Sequence, residues 1–214
     1  MQKKLIIVDD FYADPDAVRR AALAGDYYAE KGHTYPGENS KSALVLPGIM
    51  ETFKSILGPN VEQTKVGLFG HFRISRGSDH FEQDVHVDPP VTPDEFLWAG
   101  VLYLNPQEQS LRPDGTTRDG TLLWRHKARD IDRIPMSLEE GQAWGFPDFE
   151  AVRQELIYKD GLDRSKWELM TRIPMKYNRI VFFRPWQWHS HGENFGKTRE
   201  DSRLVQIFFF RKGK

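Results

Sequence analysis

The nine residues from Phe96 to Leu104, FLWAGVLYL, are apolar almost without interruption, and Asn105 and Pro106 stop the run at once. A run this short, without a polar face and closed by a turn signal, fits a strand buried on both sides. Such a strand belongs at the centre of a sheet. Whatever else the chain does, it must supply neighbours for this strand and cover for both of its faces.

The rest of the sequence supplies mostly further strands. Leu5 to Val8 reads as a short buried strand. Asp14 is a natural N-cap and Pro15 a natural first helical residue, so a helix is expected from Pro15 to about Ala24, ended by Gly25. Tyr27 to Ser40 has no period and reads as a loop over one mouth of the core. Pro47 to Leu57 carries apolar residues at helical spacing and stops at Gly58 and Pro59. Val61 to Ser75 turns to a strand pattern, with Val66, Leu68, His71 and Arg73 in its later part, and Gly77 to Asp79 form a turn. Gln107 to Gly120 is a polar, exposed hairpin loop returning into the strand GTLLWRHK, Gly120 to Lys127. An insertion at about 130–166 interrupts the strands and lies over one face of the sheet. It contains a helix from Phe149 to Tyr158, with Asp148 as cap and Gly161 beyond its end. Strands resume at Trp167 to Pro174, Arg179 to Phe183 and Arg203 to Phe210. Repeats, low-complexity tracts and flexible linkers are absent, so 1–214 reads as a single domain. It is mainly β with flanking α-helices around a double-stranded β-helix, the jelly roll or cupin-like core.

Composition narrows the chemistry. Thirty Lys and Arg against thirty-one Asp and Glu leave a net charge of -1, which gives no field for nucleic acid or a membrane surface. Cysteine is absent, so disulfides, thiolate metal sites and cysteine nucleophiles are excluded, and any metal must be held by His, Asp or Glu. The apolar run near the N-terminus ends in Asp9 and Asp10 and is too short for a signal segment or a membrane span. A cytoplasmic protein without nucleic-acid or membrane partners is expected.

One short stretch carries a metal signal. In DVHVD, Asp84 to Asp88, strand alternation puts His86 and Asp88 on one face with Val87 turned away. A neutral imidazole and a carboxylate so placed need one further histidine to complete the two-His-one-carboxylate set of non-haem Fe(II) oxygenases. The C-terminal segment offers it at His189 or His191. Of the remaining histidines, His33, His71 and His80 read as surface or ordinary hydrogen-bonded residues. One of Arg125 and His126 is expected to line the site, whereas Trp144, Trp186 and Trp188 are read as packing.

Five segments, HVD (His86 to Asp88), AGVLYLNP (Ala99 to Pro106), GTLLWRHK, YNRIVFFRPWQWHSHGENFG (Tyr177 to Gly196) and RLVQIFFF (Arg203 to Phe210), together resemble the Fe(II)/2-oxoglutarate-dependent dioxygenases of the prolyl-hydroxylase-like branch. The likeness is greatest to a bacterial group with a similar RHK strand and an HS-containing C-terminal motif. It implies Fe(II) held by His86, Asp88 and His189. It also implies 2-oxoglutarate as co-substrate, its distal carboxylate met by Arg203, with Tyr103 as a further co-substrate contact. His191 is the alternative distal ligand. Arg199 is the alternative anchor, but it lies in the polar loop GKTREDS while Arg203 opens an apolar strand, which fixes the direction of its side chain.

The activity so implied is hydroxylation of an unactivated C–H bond by O2 in an amino-acid-like, peptidyl or small-metabolite substrate, with desaturation and ring closure as variants. A ligating Asp88 argues against halogenation, because related halogenases lack that carboxylate. The insertion at 130–166 and the loop Tyr27 to Ser40 are the expected lids. Two other classes share the fold: a cupin-like metal protein that does not use 2-oxoglutarate, and a non-catalytic jelly-roll binding module.

Overall fold

The computed structural model describes residues 3–29, 35–64, 67–79, 83–88 and 97–213. Its elements in chain order begin with β1 (Leu5–Val8), α1 (Pro15–Ala24), β2 (Tyr27–Tyr28), β3 (Glu38–Ser40), α2 (Ile49–Leu57), β4 (Val61–Gln63), β5 (His71–Ser75) and β6 (Trp98–Tyr103). There follow β7 (Asp119–His126), α3 (Leu138–Ala143), and α4 (Phe149–Val152) running on into a π-helical segment, Arg153–Lys159. A 3-10 turn at Arg164–Lys166 then leads to β8 (Trp167–Pro174), β9 (Ile180–Phe183), β10 (His189–His191) and β11 (Arg203–Lys212). Among the described residues no helix is long and apolar enough to cross a membrane.

The local signals explain most boundaries. Asp14 Oδ1 accepts the Ala17 N–H at 2.9 Å, Pro15 opens α1, and the Gly25 N–H bonds the Ala22 carbonyl at its end. Ser137 and Asp148 cap α3 and α4 in the same way. The helix expected from Pro47 starts at Ile49, behind Gly48 at φ 77°.

Two antiparallel sheets face each other. The larger has the order β1-β9-β6-β11-β5-β3-β2, with β4 also paired to β11. The smaller has the order β10-β7-β8. The jelly roll expected from the strand count is present. The apolar run forms β6, held between β9 and β11 near the middle of the larger sheet.

Alternation along these strands builds three separate cores. On the outer face of the larger sheet Trp98, Leu102, Ile180, Phe182, Leu204, Phe208 and Phe210 pack against α1 and α2. On its inner face Ala99, Tyr103, Val181, Phe183, Val205 and Ile207 meet Leu123 and Ile173 of the smaller sheet. Outside the smaller sheet Leu122, Trp124, Trp167 and Trp188 pack under the insertion, against Phe146, Val152, Leu156 and Ile157. The insertion therefore covers one sheet face, as expected, and Trp144, Trp186 and Trp188 are packing residues.

Several expectations needed correction. Tyr27 to Ser40, read as a loop, supplies β2 and β3, whose pairing with each other and with β5 extends the larger sheet, and Leu5 to Val8, read as buried, is an edge strand with Ile7 exposed. The strand read from Val61 to Ser75 is two strands, because Gly70 sits at φ 76° with the Leu44 carbonyl 2.9 Å from where a Cβ would lie. The DVHVD strand contracts to a single bridge at His86. The helix at Phe149 to Tyr158 is α-helical for one turn and π-helical beyond it. His33, Val66, His80, Pro89, Pro90 and Phe96 lie outside the described residues.

Phe53 of α2 is fully buried and touches Phe11, Phe69, Phe182, Phe208 and Phe210, with ring centroids 4.8–6.2 Å apart. Phe53→Ala should lower unfolding stability by about 3–5 kcal/mol. Urea denaturation checks this as a lower midpoint at unchanged slope.

Candidate metal centre

The backbone brings the sequence pattern together. His86 and His189 form an antiparallel pair and exchange both N–H···O bonds, each at 2.9 Å. Residues so paired project their side chains to the same face, side by side. The two imidazole centroids are 4.5 Å apart. Asp88, two residues on from His86, shares that face, and its Oδ2 lies 3.3 Å from His189 Nε2. One ligand-capable atom from each of His86, Asp88 and His189 lies within 4.8 Å of the others.

Both histidines are oriented by the backbone two residues earlier. His86 Nδ1 bonds the Asp84 carbonyl and His189 Nδ1 bonds the Gln187 carbonyl, each at 2.8 Å. A carbonyl only accepts, so Nδ1 carries the proton in each ring and the Nε2 lone pair is left for the site. Burial, with help from His189, pushes the His86 pKa down to about 4, which keeps it neutral. Burial works to raise the Asp88 pKa, but His189, His86 and Arg73 outweigh it and the net shift is downward. A neutral imidazole and an ionised carboxylate are forms that bind a divalent cation, and His189 brings a ligand-capable nitrogen to the same point, so the donor set fits a metal.

The segment carrying His86 is fixed from behind. Asp84 is buried and takes a bidentate pair from Arg164, at 2.5 and 3.0 Å. The Val85 N–H bonds the Gly161 carbonyl at 2.9 Å on the edge opposite His189. Gly161 has no room for a side chain there, since a Cβ would lie 2.2 Å from the Ile157 carbonyl oxygen and 2.7 Å from that of Val85. Val85 and Val87 point into the core under the insertion.

The three residues open on a cavity of about 520 Å³ between the sheets, a size typical of small-molecule sites. Arg203, the first residue of β11, lines its inner wall and is 4% exposed. Its Nη2 donates to the Gly120 carbonyl at 3.2 Å, while Nε has no partner. Among the described residues no carboxylate pairs with it, and burial lowers its pKa. A buried guanidinium without a counter-ion is costly, and an anion in this cavity would offset that cost.

The other expected residues are distributed as follows. Tyr103 is fully buried, does not line the cavity, and bonds Thr121 Oγ1 at 2.6 Å, with Thr121 between it and the cavity; burial pushes its pKa up to about 12. His191 lines the cavity beyond His189, with Nδ1 on the Gly192 carbonyl at 2.7 Å, but is outside the three-residue group. Arg199 is elsewhere, bonded to the carbonyls of Leu23 and Gly25 at the end of α1. Neither Arg125 nor His126 lines the cavity, contrary to expectation: Arg125 pairs with Asp130, and the buried His126 bonds Asp160 at 3.0 Å. His71 is an ordinary hydrogen-bonded residue, on the Ser40 carbonyl.

Sequence reading missed Arg73, Tyr35, Arg153 and Tyr158, all at the cavity wall. The last two belong to the insertion and Tyr35 lies just before β3, so both segments expected as lids contribute to the cavity wall. A signal for Arg73 existed: in HFRIS it shares a face with Ser75 while Phe72 and Ile74 turn to the outer core.

A family model described as "Family of unknown function (DUF6445)" matches residues 1–205. No curated protein matches the chain. Among solved structures it is similar to a Pseudomonas putida prolyl-4-hydroxylase, at 13% identity over 99% of this chain and 94% of that one, with a TM-score of 0.51. It is also similar to SnoK, a non-haem alpha-ketoglutarate-dependent carbocyclase of nogalamycin biosynthesis, at 10% identity over 98% and 80%, TM-score 0.51. HygX from Streptomyces hygroscopicus, solved with nickel and 2-oxoglutarate bound, is similar at 11% identity over 98% and 83%, TM-score 0.52. At such identities the likeness is one of fold, and the fold is that of the 2-oxoglutarate oxygenases.

Arg164→Ala would leave the buried Asp84 carboxylate without its bidentate partner. It should cost about 1–2 kcal/mol, a value kept modest because the Arg164 side chain is 52% exposed. Chemical denaturation measures it.

Proposed function

The chain belongs to the DUF6445 family, and we propose that this member, with residues 1–214 acting as one domain, is a cytoplasmic Fe(II)- and 2-oxoglutarate-dependent oxygenase that hydroxylates a C–H bond of a small-molecule or peptidyl substrate. The observation that carries the reading is Arg203: a buried cation with no counter-ion among the described residues lines the same cavity as the converging His86, Asp88 and His189. A cupin-like metal protein that did not use an anionic co-substrate would leave that charge uncompensated.

In this reading His86, Asp88 and His189 hold the iron and Arg203 takes the distal carboxylate of 2-oxoglutarate through its planar fork. Tyr103 acts on the co-substrate only through Thr121, which it holds in place. Iron bound here would supply the redox chemistry that couples breakdown of 2-oxoglutarate to oxidation of the substrate by O2. Val205, Ile207 and Phe183 give the cavity an apolar wall, which keeps water from the reacting carbon. A carboxylate at Asp88 fills the position a halide would need, which favours hydroxylation.

Anaerobic titration of Fe(II)-loaded protein with 2-oxoglutarate should give a saturable visible charge-transfer band from the keto-acid chelate. His86→Ala and Asp88→Ala should abolish iron binding. Arg203→Ala should keep iron and raise the 2-oxoglutarate needed for half-saturation by about 100-fold, the scale expected for loss of a buried ionic hydrogen-bonded contact. Iron retained by both ligand variants would refute the site, and a normal chelate in Arg203→Ala would refute the anchor.

A further inference from the structure

His126 is a buried titratable group that the proposed chemistry leaves unused. It ends β7, is 3% exposed, and sits in the tryptophan-rich core under the insertion, edge-on to the Trp167 ring at 4.9 Å between centroids. Its Nε2 lies 3.0 Å from Oδ2 of Asp160, which is also buried. A carboxylate accepts, so Nε2 donates, and Nδ1 is left buried with no partner among the described residues. A polar pair in such a core is no more stabilising than apolar side chains of the same volume. What it adds is a fixed position for Asp160.

Asp160 begins the turn that backs the metal ligands. Its N–H bonds the Glu155 carbonyl in the π-helical segment, and its carbonyl accepts from the Asp163 N–H at 3.0 Å and from Trp167 Nε1 at 2.9 Å. The next residue, Gly161, offers its carbonyl to the Val85 N–H, and Arg164, three further on, grips Asp84. Both of these contacts behind His86 come from one turn, 160–166. The far end of that turn is tied to β7 by the Lys127 N–H on the Lys166 carbonyl at 2.9 Å, and the near end by His126 on Asp160. β7 also pairs with β10, where His189 lies opposite Leu123. One strand thus locates both histidines of the pair, His189 directly and His86 through the turn.

We infer that His126 and Asp160 are positioning residues for the metal centre: their contact seats the 160–166 turn on β7 and so places His86 against His189. This deepens the oxygenase reading and rests on its metal site. Neither side chain lines the cavity, and they act on His86 through Gly161 and Val85. Without the contact, the turn and the segment carrying His86 would shift together, away from the arrangement in which the three donors lie within 4.8 Å of one another.

The test is Co(II) titration of the apo-protein, full chain, read by the visible absorption of the bound ion, together with hydrogen exchange at the Val85 amide before metal is added. His126→Leu keeps the core filled but removes the donor; it should weaken Co(II) binding by at least about tenfold, the scale for residues one step behind a metal's ligands, and speed Val85 exchange. His126→Gln, which can present an N–H where Nε2 was, should restore part of both. Trp167→Phe removes only the bond to the Asp160 carbonyl and should weaken Co(II) by about threefold; it carries the test if His126→Leu does not fold. Phe53→Leu loosens the outer core and should leave Co(II) affinity unchanged. With wild-type protein binding Co(II), an unchanged affinity in folded His126→Leu or in Trp167→Phe, an equal loss in Phe53→Leu, or unchanged Val85 exchange would each overturn the positioning role alone. Wild-type protein that binds no Co(II) would overturn it together with the metal site beneath it.

Discussion

Everything at the site depends on one pair of backbone hydrogen bonds, those that His86 and His189 exchange. They are ordinary sheet bonds, yet they join segments about a hundred residues apart and set two imidazoles side by side on one face. Strand periodicity then brings Asp88 onto the same face without any further device. The tautomers follow from the same backbone, because each Nδ1–H meets a carbonyl two residues earlier. The protein thus builds a converging donor set from main-chain geometry, and side-chain chemistry enters only at the tips.

That pair would be a weak edge contact without the layers behind it. Asp84, Val85 and Val87 tie the ligand segment to Arg164, Gly161 and the tryptophan-rich core under the insertion. The same insertion sends Arg153 and Tyr158 to the cavity wall. One segment therefore supports the segment that carries His86 from behind and also forms part of the cavity wall, so the geometry of the histidine pair and that of the cavity are physically linked. The π-helical geometry of Arg153–Lys159 is what lets Leu156 and Ile157 reach the core while Arg153 and Tyr158 face the other way.

Much of this was legible in the residues. The cap at Asp14 with Pro15, the strand at Trp167 to Pro174 and the same-face rule for His86 and Asp88 follow from local stereochemistry, and the structure repeats them. What was not legible depends on tertiary contact. Gly70 splits a strand because of a carbonyl from another segment. Arg125 and His126 were misassigned because β7 is buried on both sides, so its pattern does not reveal which face meets the cavity. Arg73 was overlooked as a site residue because the partner that orients it, Asn39, lies in a stretch without any period.

The order of strands has a consequence for biosynthesis. β11 follows every other described strand in the chain but lies between β6 and β5 in the larger sheet, with β4 paired to it as well. Until residues from Arg203 onward have left the ribosome, β5 and β6 carry open edges and the inner core lacks its middle. Such edges are templates for mispairing. A nascent chain of this kind cannot complete its sheet stepwise from the N-terminus, and closure comes as one late, long-range event.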